Sequence, residues 1–340
     1  MTLTSRQRRN WRIIIGLSLG SAVLSAVFGY IVGPDTPLHS MIVGVANSLA
    51  IATPILLFEV IWQHRWPFRR LRRLPLLAYF GVRVLFYVVV ILGGLSVVRF
   101  LFHDLEHLFD DVFLISLAFA VAMSVLANLV FEMGLLLGFG TLRNLLTGRY
   151  VQPKREQKAF LLIDMQDSTG IAERLGPVVF HALLNEFFRN VSDAALECGA
   201  EIHKYVGDEA ILTWPDSKLG SGDCLACAFL ARDYIAADSQ RYQRRFGIVP
   251  QFRAALHCGE IVAGEIGDVR REIAYVGETL NVAARLLDAA KSLGHAVLVS
   301  EDLLARVALP AGLKAVSLPT LTVRGRAAPL GVSALQAAPA

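Results

Sequence analysis

Two carboxylates stand where the local pattern puts them to chemical use. Asp164 closes the short apolar run AFLLID (159–164), and a turn with Ser168, Thr169 and Gly170 follows it. Asp208 sits at the Gly207-Asp208 junction of EIHKYVGDEAILTW (201–214), a stretch that reads as two strands. Hard cations such as Mg²⁺ need oxygen ligands and take one or two protein carboxylates, with substrate phosphates filling other positions. A carboxylate at a strand end beside a small-residue loop suits this, because free backbone N–H groups can hold phosphate oxygens. Taken alone, two aspartates are read first as structural, so the chemistry has to be carried by more than this pair.

The other reactive residue types carry less. Cys224 and Cys227 form C-x-x-C inside a predicted helix with no second pair, which argues against zinc. His257-Cys258 reads as strand and turn rather than a catalytic dyad, and His203 as a surface strand residue. All four cysteines lie in the second half of the chain, the pattern of reduced thiols in a cytoplasmic domain rather than a disulfide framework.

The elements that must position the aspartates alternate between helix and strand. Residues 177–197 have helical spacing, 220–237 suit a helix, and 251–266 read as a hairpin turning at Cys258-Gly259. A helix from Asn281 to Leu293 follows, then a strand at 296–299, a helix at 301–307, and short strands near 313–318, 320–323 and 330–335. That order predicts an α+β sheet with helices packed on one face.

The first 142 residues differ. The 340-residue chain is 54% apolar and only 18% charged, with a mean hydropathy of +0.51, too high for a soluble protein and incompatible with a disordered one. The net charge of +4 gives no case for nucleic acid. The excess hydropathy is concentrated in four runs, about 13–34, 36–62, 74–102 and 112–142. Some 22 residues of helix reach about 33 Å, enough for a hydrocarbon core of about 30 Å. The reading is therefore an all-α domain of four transmembrane helices (1–142), a basic linker with Gly148 and Pro153 (143–158), and a second domain at 159–340. The first run is too long for a signal peptide and lacks a clear cleavage site. Arginines cluster before the first run, between the second and third, and after the fourth, whereas 103–111 read HDLEHLFDD. Positive-inside places both termini in the cytoplasm, with Arg99 alone against it. Arg83 and Glu132 fall at membrane depth, where they either pair, with Glu59 as a third partner, or snorkel separately. Gly16 and Gly20, continued by Ser21, Ser25 and Gly29, suggest a helix contact face. His103 and His107 belong to a solvated acidic loop rather than a metal or pH sensor.

Four segments, taken together, resemble the class III adenylate/guanylate cyclase catalytic domain: FLLIDMQDST (160–169), KYVGDEAILTW (204–214), FRAALHCGEIVAGEIG (252–267) and YVGETLNVAARL (275–286). The resemblance covers about 158–335 and implies a ferredoxin-like α+β fold. It also implies a membrane-bound adenylate cyclase that converts ATP to 3′,5′-cyclic AMP and pyrophosphate with two Mg²⁺ or Mn²⁺ ions per site. Carried over residue by residue, Asp164 and Asp208 are the metal ligands, and the backbone amides of Met165, Gln166, Asp167, Ser168 and Thr169 cradle the triphosphate. Asn281 orients the ribose, and Arg285, one helical turn on, stabilises charge on the transferred phosphorus. Arg253 and Arg324 contact phosphates, and Lys204 falls on the purine-reading lysine, which favours adenine. Two positions depart from the family: Ala274 stands where an Asp or Thr usually reads the base, and a methyl group accepts no hydrogen bond. Glu278 replaces a usual Asp. In the family the metal aspartates and the Asn/Arg pair come from different chains, which implies a head-to-tail homodimer anchored in the cell inner membrane, its catalytic domain cytoplasmic. A guanylate cyclase and a non-catalytic membrane sensor are the alternatives. Gly207-Asp208-Glu209 is also similar to the diguanylate cyclase signature, but the missing preceding glycine and the presence of NVAAR argue against it.

Overall fold

The computed structural model describes residues 5–32, 36–61, 74–102, 111–269, 271–322 and 329–338. Two units divide the chain, Met1–Leu136 and Leu137–Ala340.

The first unit contains helices α1 (Ser5–Val32), α2 (Pro37–Val60), α3 (Leu76–Phe102) and α4 (Asp111–Leu137). Each includes 22 to 25 residues apolar and long enough to cross a membrane. A helix is the form such a run takes in lipid, because every backbone polar group is satisfied within the segment. Pro37 opens α2 at its first turn, where its missing N–H costs nothing. The contact between α1 and α2 runs through small residues, but not all those expected. A Cβ at Gly16 or Gly20 would meet nothing within 4 Å, whereas one at Gly29 would run into the Ser40 carbonyl, and one at Gly44 into the Ser25 carbonyl. Ser48 Oγ donates to Ser21 Oγ at 2.9 Å on the same seam. The close approach is thus one stripe further along than Gly16 and Gly20 indicate.

Arg83, on α3, is 1% exposed. Its Nε and Nη2 donate to the two oxygens of Glu59 at 3.0 and 2.5 Å, and Nη1 donates to Glu132. Tyr87 Oη also donates to Glu59, and the Tyr79 ring lies 5.1 Å from the guanidinium carbon. The three charged residues therefore pair rather than snorkel separately. His103 and His107 lie outside the described residues.

The second unit opens with α5 (Phe139–Leu146) and is built on strands β1 (Lys154–Met165), β2 (Glu201–Val206), β3 (Glu209–Pro215), β4 (Phe252–Ile266), β5 (Glu272–Val276), β6 (Val297–Ser300), β7 (Leu313–Leu321) and β8 (Leu330–Ala337). The strand order is β2-β3-β1-β4-β6-β8-β7, with β5 paired to the far end of β4. Every pairing is antiparallel except β4 with β6. The helices are α6 (Ser168–Leu175), α7 (Pro177–Glu197), α8 (Asp223–Ala237), α9 (Ser239–Phe246), α10 (Glu278–Ser292) and α11 (Glu301–Leu304).

Both sheet faces carry helices, not one. Ala159, Leu161, Ile163 and Met165 of β1 share a core with α7, α8 and α9, while Phe160 and Leu162 pack with Val282, Leu286 and Ala290 of α10. This follows from the two-residue period of a strand buried on both sides. The expected hairpin at Cys258-Gly259 is instead the middle of one 15-residue strand, β4. A Cβ at Gly259 would lie 2.6 Å from Thr279 Oγ1, so the glycine serves a close approach of α10 and not a turn. The chain reverses after β4 at Gly267, whose φ is +90°. β7 likewise continues past Pro319 as one strand, but its register against β8 shifts between Leu318 and Leu321, an irregularity on an edge strand that tolerates proline.

Candidate active site

β1 is the central strand, and it ends at the point where Asp164 meets its neighbours. Asp164 pairs with Glu209 of β3 on one side and with Arg253 of β4 on the other. Directly opposed residues point to the same face. An acid, an acid and a base thus form one row on the α10 side of the sheet. Asp208, in the β2–β3 turn, lies close enough to Asp164 to repel its charge. Burial first, then Asp208, pushes the Asp164 carboxyl up to about 6, against the opposing pull of Arg253 and Lys291. Burial, with Asp164, Asp208 and Asp288, pushes Glu209 up to about 7.

Three partners of this cluster, Glu209, Asp288 and Lys291, were not among the expected site residues. Glu209 is signalled by the strand register, and the other two by continuing the Asn281–Arg285 stripe along α10. Asp164 and Asp208 crowd two negative charges into a half-buried place. Among the described residues, no group of three His, Cys, Asp or Glu side chains is arranged to hold a metal. Two carboxylate donors alone fit a hard cation whose remaining ligands are water and phosphate oxygens, and they do not fit a closed all-protein metal site.

The segment after Asp164 turns sharply. Asp167 has φ +54°, in the left-handed region, and caps α6. A Cβ at Gly170 would lie 2.6 Å from Asp167 Oδ1, so the acid folds over the first helical turn. The first N–H groups of α6, including those of Ser168 and Thr169, have no acceptor within the helix, and the helix starts four residues after Asp164. One of the five expected cradle amides is committed elsewhere: the Gln166 N–H donates to the Gln251 carbonyl at 2.9 Å, while the Met165 side chain is buried in the core.

Asn281 is exposed and Arg285 half-buried on α10. Neither appears among the groups acting on Asp164 or Glu209, whereas Asp288 and Lys291 do. Asn281 precedes Asp288 by seven residues, about 10 Å of helix. Along α10, Asn281 and Arg285 thus lie nearer the helix start than Asp288 and Lys291, the two residues of this helix that act on the carboxylates.

Lys204 lies exposed on the edge strand β2, directly after a bulge between Ile202 and Lys204. His203 in that bulge stacks on Tyr275 of β5, with ring centres 4.3 Å apart. The stack brings β2 and β5 together, with Lys204 and Ala274 as its sequence neighbours. His203 is not the surface residue expected: burial first, then Lys204 and Lys158, draws its pKa down to about 4. Lys158 Nζ sits 5.1 Å from the Tyr275 ring centre and 3.6 Å from Glu156. Arg324 lies outside the described residues. His257 is buried with Nδ1 2.8 Å from Ser300 Oγ, the cap of α11, and all four cysteines are buried free thiols.

Residues 151–331 match the family described as the adenylate and guanylate cyclase catalytic domain. Over 303 residues the chain is 36% identical to adenylate cyclase 2 of Rhizobium meliloti (strain 1021), covering 87% of this chain and 84% of that one. An adenylate cyclase of Anabaena cylindrica is 26% identical over 156 residues, 44% of this chain and 30% of its own length. Among solved structures, a bacterial light-regulated adenylyl cyclase superposes with a TM-score of 0.51 at 18% identity over 63% of each chain, a likeness of fold.

Proposed function

The chain belongs to the adenylate and guanylate cyclase catalytic-domain family, and on that premise we propose that it is a membrane-anchored adenylate cyclase. It converts ATP to 3′,5′-cyclic AMP and pyrophosphate at sites shared between two copies of itself. The observation that carries this reading is the Asp164–Asp208 pair, two acids pressed together at a strand end beside the free amides of α6.

Asp164 and Asp208 would hold Mg²⁺ or Mn²⁺, whose chemistry there would be to lower the pKa of the ribose 3′-hydroxyl and to balance charge on the pyrophosphate. The backbone N–H groups of Ser168 and Thr169 donate to the phosphate oxygens at the α6 terminus. Arg253, across the ladder from Asp164, adds positive charge beside the phosphates, and Arg324 is assigned the same task from the family pattern. Arg285 supplies charge where the transition state becomes more negative, and Asn281 fixes the sugar so that its 3′-oxygen faces the innermost phosphorus. Lys204 reads the purine. With Ala274 beside Tyr275 in place of a base acceptor, recognition of adenine rests on Lys204 and on backbone groups.

The position of Asn281 and Arg285 nearer the start of α10 than Asp288 and Lys291, which act on the carboxylates of the same chain, supports completion of each site by a second copy. The four apolar helices anchor that pair in the bilayer. The arginine clusters favour an orientation with both termini and the catalytic unit in the cytoplasm, and in a cell with two membranes this means the inner one.

Co-expression of Asp164→Ala with Arg285→Ala tests the shared site. Each variant alone is inactive, and the mixed dimer regains one intact site with Mn²⁺ and ATP. No recovery in dimers shown to form would refute the arrangement. Running the same assay with GTP separates adenylate from guanylate cyclase, and dimers that turn over neither nucleotide would leave the chain a sensor with a cyclase fold.

A further inference from the structure

On the sheet face opposite α10, two adjoining hollows of about 360 and 490 Å³ meet at Arg232 of α8 and at Ala296. The Arg232 guanidinium carbon lies 5.3 Å from the Phe252 ring centre and 5.8 Å from that of Phe229. Burial draws its pKa below the ordinary arginine value, and no acid acts to raise it. Other arginines of this unit have carboxylates at hand: Arg241 reaches Glu186 at 3.0 Å, and Arg149 reaches Glu156 at 2.8 Å. Among the described residues Arg232 has no hydrogen-bond or ion-pair partner, only the two rings.

Arg232 is half-buried; partial loss of water without a counter-ion is costly, and cation–π contacts return only part of that cost. The lining of the smaller hollow contains no acid. Its lining includes Ile235, Val249, Pro250 and Phe252, together with Gln166 and Gln251. Such a cavity complements one ligand chemistry, an anionic head joined to a compact apolar body. We propose that this hollow binds a small carboxylate with an apolar body, its head group on Arg232 and its body against Ile235, Val249 and Pro250. The site is separate from the catalytic row, which lies on the other face, yet it borders the active-site turn. Gln166 donates its backbone N–H to Gln251 and its side-chain amide to the Phe252 carbonyl at 3.2 Å, two residues beyond Asp164.

The test uses the full-length protein in lipid nanodiscs, with para-fluorobenzoate followed by fluorine NMR line broadening. Saturable binding is expected, weakened about tenfold or more in Arg232→Gln, because a charge-assisted contact is lost. Val249→Glu, which leaves Arg232 in place and puts a negative charge in the wall, should lose binding equally, and Arg253→Gln should keep it. The uncharged para-fluorobenzyl alcohol should give no saturable signal. Broadening that never saturates, binding that survives both Arg232→Gln and Val249→Glu, or binding lost in Arg253→Gln overturns the proposal.

Discussion

Arg83 and Asp164 are both charged side chains in apolar surroundings, and the two units treat them in opposite ways. Around Arg83 the chain supplies the partners itself: Glu59 on two donors, Glu132 on a third, and Tyr87 as a further donor to Glu59. Around Asp164 burial is joined by more of the same sign: Asp208 acts on Asp164 against Arg253 and Lys291, and Asp164, Asp208 and Asp288 act on Glu209 beside it. Low dielectric makes an unmatched charge expensive in either place. The first cluster is internally balanced and so reads as architecture. The second carries an imbalance that the proposed cation would correct, and so reads as a candidate working site.

Substitutions should separate the two kinds of cluster. The largest effect belongs to Asp208→Asn, which keeps the shape and removes a cation ligand. Cyclic nucleotide formation should fall by about a thousandfold or more while the protein stays folded. Activity within tenfold of wild type would remove Asp208 from the site. Next comes Arg83→Leu, which strands Glu59 and Glu132. It should destabilise the membrane unit by about 3–5 kcal/mol in detergent-unfolding titrations. Replacing all three charged residues with leucine should recover most of that loss, since the cluster's worth lies in balance and not in charge itself.

The smallest effect is a pH dependence. Asp164 and Glu209 have pKa values raised in the fold, to about 6 and about 7. Raised acid pKa values mean that the folded state favours the protonated forms. Without metal, stability is therefore greatest below the unfolded carboxyl pKa, about 4, and declines as pH climbs through 6 and 7. The groups are partly solvated, so the decline amounts to about 1–2 kcal/mol. Mn²⁺ should raise the melting temperature more at pH 8 than at pH 5, and equal gains would break the contrast between the two clusters.

The site was legible where chemistry is written in residue types. Asp164 at a strand end and Asp208 in a strand turn are local features, and the register then delivers Glu209 and Arg253 beside them. What escaped the sequence was set by contacts distant along the chain. Gly259 has the look of a turn, and only the position of Thr279, twenty residues on, explains it as a gap in a straight strand. α9 reads as SQRYQRRF, too polar to announce itself, yet Tyr242 and Phe246 at i, i+4 bury its inner side. His203 was assigned to the surface because nothing near it in sequence shows that Tyr275 will lie against its ring. In the membrane unit, Gly29 with Ser40 and Gly44 with Ser25 outrank Gly16 and Gly20, a choice made by helix crossing and invisible to composition.

β1 runs without interruption from Lys154 to Asp164, a rod of about 33 Å, gripped along most of its length by β3 and β4. Sliding it by one residue would turn Asp164 away from α10 and bury it among the side chains of α7 and α8. A piston stroke is therefore forbidden to it. Any mechanical message entering at Lys154 can reach the carboxylate only by rocking the sheet as a whole.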